Sequence, residues 1–412
     1  MAHSLNTRQI HLWRIAIYFF FALPGFSTAT WISRTPTIRD ALGASTNEMG
    51  WIIFGLATGS IIGLLGASHF IARFGGRFVM VSGLAIGSIG LITVGLGGSW
   101  LAQGVMVFIG LAIFGFGNGI CDVAMNVEGT EVEHAAKKSL LTGFHAAFSA
   151  GTLIGAITGA VAIKAGIPIH IHLAFAAIIV VLAIIYLYRM VPAGTAQDNK
   201  TDSGEPPMTT RERMAVWKEP RTILIGIVVL GMAFAEGSAN DWLPLVIVDG
   251  YNVTPATGSF AFGIFVAAMT IGRALGGKLL DRFGRVAVLR TSALLAVAGL
   301  LIVIFGKSFG FAAIGVVLWG FGSAFGFPVG LSAAGDNPRG VAARVGAVTT
   351  LAYFAFLVGP PVLGIIGESV GLLRALLVVL VGVTIAGLLS HAAKPIGQQE
   401  LREKPSDVSL HS

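Results

Sequence analysis

Three acids stand inside otherwise apolar stretches of this chain: Asp122, Glu236 and Asp241. An ionisable side chain placed in such a stretch costs roughly several kcal/mol, so it usually faces a cavity and serves a function. Asp122 and Asn126 are four residues apart, which puts them on one face of a helix. A carboxylate beside an amide, in an apolar layer, is chemistry for loading and unloading one proton. A structural carboxylate satisfied by a neighbouring helix is the plainer alternative. Glu236 and Asn240 repeat the i, i+4 spacing, with Asp241 nearer the helix end. Glu236 reads as a solute-binding acid or a second proton site, or as part of a polar gate. Trp31 and Trp242 could stack on a solute or anchor at a membrane interface.

Other polar residues carry weaker signals. His145 could assist proton release, or pack as a hydrogen-bonded core histidine. Arg273 lies within an apolar stretch and is expected to snorkel or pair near its inner end. Glu128, Glu131, Glu133, His134, Lys137 and Lys138 read as a solvated loop face. Arg34 and Arg39 could attract anions, or bridge to Asp40 or Glu48. His170 and His172 alternate in a loop, a faint metal signal. Phosphate loops, paired metal ligands and nucleophile triads are absent, so nothing in the sequence supports ATP-driven work, an enzyme activity or a bound cofactor.

The elements holding these residues must be membrane helices. Of the 412 residues 55% are hydrophobic and 11% charged, less than half the roughly 25% charged share of a soluble domain. The lone Cys121, in an apolar run, excludes an internal disulfide and reads as a small packing residue. Runs of about 20 apolar residues mark spans, here at 12–33, 47–70, 78–98, 101–127, 139–162, 169–190, 221–247, 257–280, 287–306, 309–332, 343–367 and 371–393. The first could be mistaken for a signal peptide; an uncleaved span keeps the count even.

The charge pattern sets an expected orientation. With both termini cytoplasmic, Arg34, Arg39, Lys164, Lys307 and Arg374 fall outside and Arg273 within a span, which leaves 21 of the 27 Lys and Arg on the inner side. That is the positive-inside pattern, and it gives the net charge of +7 a membrane explanation rather than a nucleic-acid one. The expected organisation is a first bundle over 1–190, a linker over 191–220, a second bundle over 221–393 and a tail over 394–412. Within the linker, Met208 to Trp217 could lie on the membrane surface with Met214 and Trp217 inward.

The halves repeat. Gly75 and Arg77 match Gly284 and Arg285; Trp31 matches Trp242; Gly115-Phe116-Gly117 matches Gly320-Phe321-Gly322; Ala147-Phe148 with Gly151 matches Ala355-Phe356 with Gly359. The offset stays between 205 and 211. Asp122 has Phe327 as its mate and His145 has Tyr353, so the acid in span four is not demanded by symmetry. Parallel six-helix repeats with a mid-membrane site between them are a transporter plan.

The stretch Gly277-Lys278-Leu279-Leu280-Asp281-Arg282-Phe283-Gly284-Arg285 resembles the loop signature of the major facilitator superfamily. The resemblance implies an all-α membrane protein of twelve helices in two pseudo-symmetric six-helix bundles. It also implies a gating latch at Asp281, Arg282 and Arg285; the first half keeps Arg73, Gly75 and Arg77, with Ala72 where the family usually has Asp. Gly117-x-Gly119-x-x-Asp122-x-x-x-Asn126 is similar to span four of the fucose–proton symporter branch, whose acid couples protons. That branch's second acid, in span one, has no counterpart between Phe26 and Ser33. The arrangement also resembles YbjJ-type bacterial inner-membrane transporters.

The expectation is therefore proton-driven symport of a small polar solute, such as a sugar, across the bacterial inner membrane. Asp122 and Glu236 would handle protons, and Asn126, Trp31, Asn240, Asp241, Trp242 and His145 would line the solute site. The proton gradient replaces any cofactor, membrane lipid is the surrounding partner, and a monomer suffices. The rival is proton-coupled efflux. Exporters of this superfamily often place Gly-Pro in span five, whereas here Gly359-Pro360-Pro361 lies in span eleven. A sensor with this fold and no flux is a further alternative.

Overall fold

The computed structural model describes residues 6–138, 140–193, 210–337 and 340–396. Its elements are α1 Thr7–Ser33, α2 Thr35–Leu42, α3 Thr46–Phe74, α4 Gly76–Gly95, α5 Gly104–Ala136, α6 Leu141–Lys164, α7 Ile169–Leu187, α8 Thr210–Val216, α9 Pro220–Tyr251, α10 Pro255–Phe305, α11 Phe309–Ser323, α12 Gly326–Ala334, α13 Val341–Val370 and α14 Leu372–Leu389. Among the described residues, eleven helical stretches are long and apolar enough to cross a membrane. One of these, α10, has 51 residues, about 76 Å of helix, more than twice a bilayer core of about 30 Å. It holds two crossings that meet at Gly284, where φ is 75° and ψ 165°. Twelve crossings result. Most of the 191–220 stretch (194–209) and the tail beyond 396 lie outside the described residues.

The repeat seen in the residues is also a repeat in backbone and packing. Gly75, between α3 and α4, has φ 82° and ψ 155°, matching Gly284 in a region that residues with a Cβ hardly reach. Both loop glycines therefore turn the chain the same way before an arginine. Helix pairing repeats too: α1 lies along α6 as α9 lies along α13, and α5 sits beside α3 and α4 as α11 sits beside both arms of α10. Close approach of α3, α4 and α5 depends on missing side chains. A Cβ on Gly59 would lie 1.9 Å from the Ala112 carbonyl oxygen, and one on Gly117 would lie 2.4 Å from that of Gly83. Small residues are how membrane helices gain packing without a hydrophobic drive. Cys121, fully buried, fills the α4–α5 seam against Gly83.

Two features depart from the sequence reading. The tenth span is broken: α11 ends at Ser323 and α12 starts at Gly326. Pro328 is the cause, because it has no N–H for the Ala324 carbonyl four residues back and its ring crowds that oxygen. The acidic run after Asn126 is no loop, since α5 continues to Ala136. Glu128 within it is fully buried, its Oε1 only 2.4 Å from where a Gly76 Cβ would stand. Its carboxylate thus occupies the N-terminus of α4, where the positive end of the helix favours it.

The helices before residue 191 close against those after 210 at the face away from the chain termini. There α3 meets α13, with Gly50 against Pro360 and Gly364, and α6 meets α10, with Ala156 against Gly263. Arg39 pairs with Asp249, and the Asn47 backbone N–H donates to Glu368 Oε2 at 3.2 Å. Met214 and Trp217, at α8, are exposed.

Candidate functional site

One half-buried face of α5 carries Asn118, Asp122 and Asn126 at helical spacing. Gly115 and Gly119 turn instead to α3, meeting the backbone at Leu56 and Ser60, and that close seam fixes the rotation of α5. Asn118 donates to Thr28 Oγ1 of α1 at 3.3 Å. Asn126 donates to the Asp122 backbone carbonyl at 2.8 Å, so its amide is engaged within its own helix. Among the described residues the Asp122 carboxylate has no hydrogen bond or ion pair. Tyr353 of α13 belongs to the other set of helices. Tyr353 is the repeat mate of His145.

On the other side, Glu236 at the middle of α9 accepts from Arg273 Nη2 of α10 at 2.8 Å. The two side chains are 15% and 33% exposed, so the arginine is the more open partner. Arg273 Nε also reaches the Ala324 carbonyl at 3.4 Å, the oxygen that Pro328 deprives of its helical donor. One guanidinium thus joins an acid in α9 to the break in span ten. Gly272 and Gly276 make room for this, facing Ala324 and the Phe325 ring. His145 of α6 is exposed and packs edge-to-face with Phe21, 5.2 Å between ring centroids.

Asp241 resembles Asp122 in having no hydrogen bond or ion pair among the described residues. Next to it, Asn240 is half-buried, and Pro244 leaves the Asn240 carbonyl without its helical donor. Trp31 and Trp242 are both buried, 2% and 1% exposed, in the packed layer toward the closed face. Neither stands at a lipid-facing interface, and neither lines open space in this conformation.

The loop residues separate into two groups. Arg285 is engaged: Nη1 donates to Asp336 Oδ1 at 2.6 Å and Nη2 to Ser332 Oγ at 3.0 Å. Asp336 also takes Arg221 Nη2 at 2.8 Å. Arg77 donates to the Val191 carbonyl at 3.0 Å and lies over the Tyr188 ring at 3.6 Å. Asp281 and Arg282 are exposed, Arg282 lying 5.3 Å from the Phe283 ring. Arg73 is exposed beside Phe74. His170 and His172 do not converge: His170 Nδ1 meets Ser99 Oγ at 2.8 Å and His172 Nδ1 meets Arg34 Nε at 3.0 Å. Among the described residues no group of three metal-binding side chains exists.

Twelve crossings, an internal repeat and charged groups at mid-membrane define the class of secondary transporters. The family model for the Major Facilitator Superfamily matches residues 15–338 and 242–406, and the chain belongs to that family. It is a multi-pass membrane protein. It is 28% identical to an uncharacterized MFS-type transporter of Yersinia pestis over 84% of this chain and 87% of the relative. Among solved structures, a variant of the nucleoside transporter NupG superposes with a TM-score of 0.77 at 15% identity, covering 94% of this chain and all of that one (100%). A variant of the Escherichia coli fucose:proton symporter FucP superposes with a TM-score of 0.63 at 16% identity, covering 94% and 100%.

Proposed function

We propose that this transporter is a proton-coupled symporter for a small hydroxyl-rich solute, such as a sugar or a sugar-bearing molecule. The observation that carries the reading is Asp122, a half-buried carboxylate within the long apolar helix α5, with no partner among the described residues. An unpaired acid there is costly when ionised. A proton removes that cost and lets the loaded protein change state; losing the proton on the other side resets it. Glu236 differs because Arg273 already balances it. The pair argues for Glu236 acting on the solute and on span ten, with Asn126, Asn240 and Asp241 supplying polar contacts as the far face opens. Trp31, Trp242 and His145 join the lining in that opened state.

Two structural neighbours are titled a nucleoside transporter and a fucose:proton symporter, and both of those solutes contain a sugar. At 15% and 16% identity the likeness is one of fold, and the solute class is our inference. The proposal also takes bundles over 1–190 and 221–393, a linker over 191–220 and a tail over 394–412 from the apolar runs and their repeat, both termini cytoplasmic in a bacterial inner membrane from the charge pattern, and a working monomer from the fold. Arg73, Arg77, Asp281, Arg282 and Arg285 act as the latch of the cytoplasmic face.

The test is a melting screen of the purified protein against sugars, sugar acids, nucleosides, amino acids and lipophilic cations. Ligand at 100 times its Kd stabilises by about 2.7 kcal/mol. Stabilisation by a hydroxylated solute, lost on Glu236→Ala, is the expected result. A response to lipophilic cations alone would overturn the reading in favour of efflux.

A further inference from the structure

A charged pocket lies at the face away from the termini, apart from Asp122 and the Glu236–Arg273 pair. Arg34 ends α1 and is only 2% exposed. Its Nε donates to His172 Nδ1 at 3.0 Å and its Nη2 to the Ile167 carbonyl at 2.8 Å. Both acceptors are neutral. The carboxylates nearby are spent elsewhere: Asp40 and Asp249 on Arg39, and Glu48 on the N-terminus of α3 through Ser45. A buried guanidinium facing neutral acceptors alone is an incomplete charge arrangement. Its burial lowers the pKa to about 10 from the ordinary 12.5.

The pocket that Arg34 lines is walled by Thr37 of α2, Ser99 and Trp100 of a π-helical turn, and Ile167 and His170. Ser99 and His170 are already bonded to each other, and Trp100 lies nearly parallel to the His170 ring, 6.4 Å between centroids. The N-terminus of α7 opens onto the same space. Pro168 precedes it and no side chain caps it, so its first N–H groups lack helical acceptors and present the positive end of a 19-residue helix. Trp100 is 76% exposed and Ile167 38%, a rim suited to the headgroup layer of a bilayer.

We infer that this pocket binds a phosphate-type oxyanion, held by the Arg34 guanidinium and the first turn of α7. Helix N-termini and arginine forks are the two protein groups best matched to such an anion. The anion completes the charge of Arg34 and ties the α1–α2 corner to α7, stiffening one wall of the far face. It comes either from the headgroup of an anionic phospholipid or from free phosphate.

Native mass spectrometry of the full chain in detergent tests this. One arm titrates inorganic phosphate; the other titrates phosphatidylglycerol, with diacylglycerol as the phosphate-free control. The expected result is one bound oxyanion per chain, weakened about tenfold by Arg34→Gln, the effect of losing about 1.4 kcal/mol. Ser99→Phe fills the pocket without touching the charge, and decides the matter if Arg34→Gln does not fold. Binding of phosphatidylglycerol alone assigns the lipid; binding of both probes assigns a free anion; either supports the site. No binding of either probe to the parent chain, or binding unchanged in the folded variants, overturns it.

Discussion

Arg273 donates to Glu236 at 2.8 Å while its Nε reaches the Ala324 carbonyl, so the ion pair and the break in span ten are one structural unit. A solute group that draws Arg273 away also withdraws the hydrogen bond that serves the broken helix. That gives binding at mid-membrane a route to the packing of α12 against α9, where Gly326 and Gly330 sit against Met232 and Val229.

Neutralising one partner of this pair should therefore cost more than neutralising both. Glu236→Gln leaves a guanidinium without its counter-charge. We expect a loss of about 1–3 kcal/mol, below the range for fully buried pairs because Arg273 is one-third exposed. The Glu236→Gln/Arg273→Gln double variant should recover part of that loss, as measured by a thermal double-mutant cycle. Strict additivity would show that the pair is not coupled.

Asp336 holds two arginines, Arg285 and Arg221. Asp336→Asn should lower stability by about 2–3 kcal/mol, since two guanidiniums lose one anion. Asp281→Asn, at an exposed position, should leave the melting temperature unchanged and show itself only in transport rate. Equal melting shifts would contradict the division between engaged and open loop residues.

The closed face can be loosened selectively. Ser259 is fully buried near the Ser33–Gly159 contact. In a Cys121→Ser background, Ser259→Cys should react slowly with a membrane-impermeant thiol reagent. Adding Arg39→Ala removes the tie to Asp249 and should speed labelling roughly fivefold, as expected for about 1 kcal/mol. An unchanged rate would show that helix packing alone keeps this face shut.

Glycines divide by what a methyl would meet. Gly59→Ala drives a Cβ to 1.9 Å from the Ala112 carbonyl oxygen, and overpacking of this kind costs about 1–3 kcal/mol. Gly277→Ala meets nothing within 4 Å and should be neutral or slightly stabilising, because alanine favours helix. A melting comparison of the two variants checks the α3–α5 seam.

Much of the fold could be read from residues because apolar length and Gly-Arg turns are local signals. Gly75 and Gly284, matched in sequence, prove to share one backbone conformation. The site was less legible. Arg273 and Glu236 lie 37 residues apart on different helices, and helix rotation alone decides whether they meet; the sequence allowed Arg273 to snorkel or pair and named no partner. Pro328 did carry a local signal for the break in span ten, but the surrounding apolar run masked it. Glu128 was misread because a run of acids and lysines looks solvated, whereas its burial depends on the N-terminus of α4 arriving from elsewhere. Trp31 and Trp242 were legible as a pair and not in their depth, which follows from the conformation that the protein holds.

The central claim rests on Asp122, and the direct measurement is transport by Asp122→Asn in proteoliposomes, once the melting screen supplies a solute. The account predicts that proton-driven accumulation disappears while solute counterflow, which needs no net proton movement, continues at a rate near that of the parent protein. Accumulation against a gradient that persists in Asp122→Asn would contradict it.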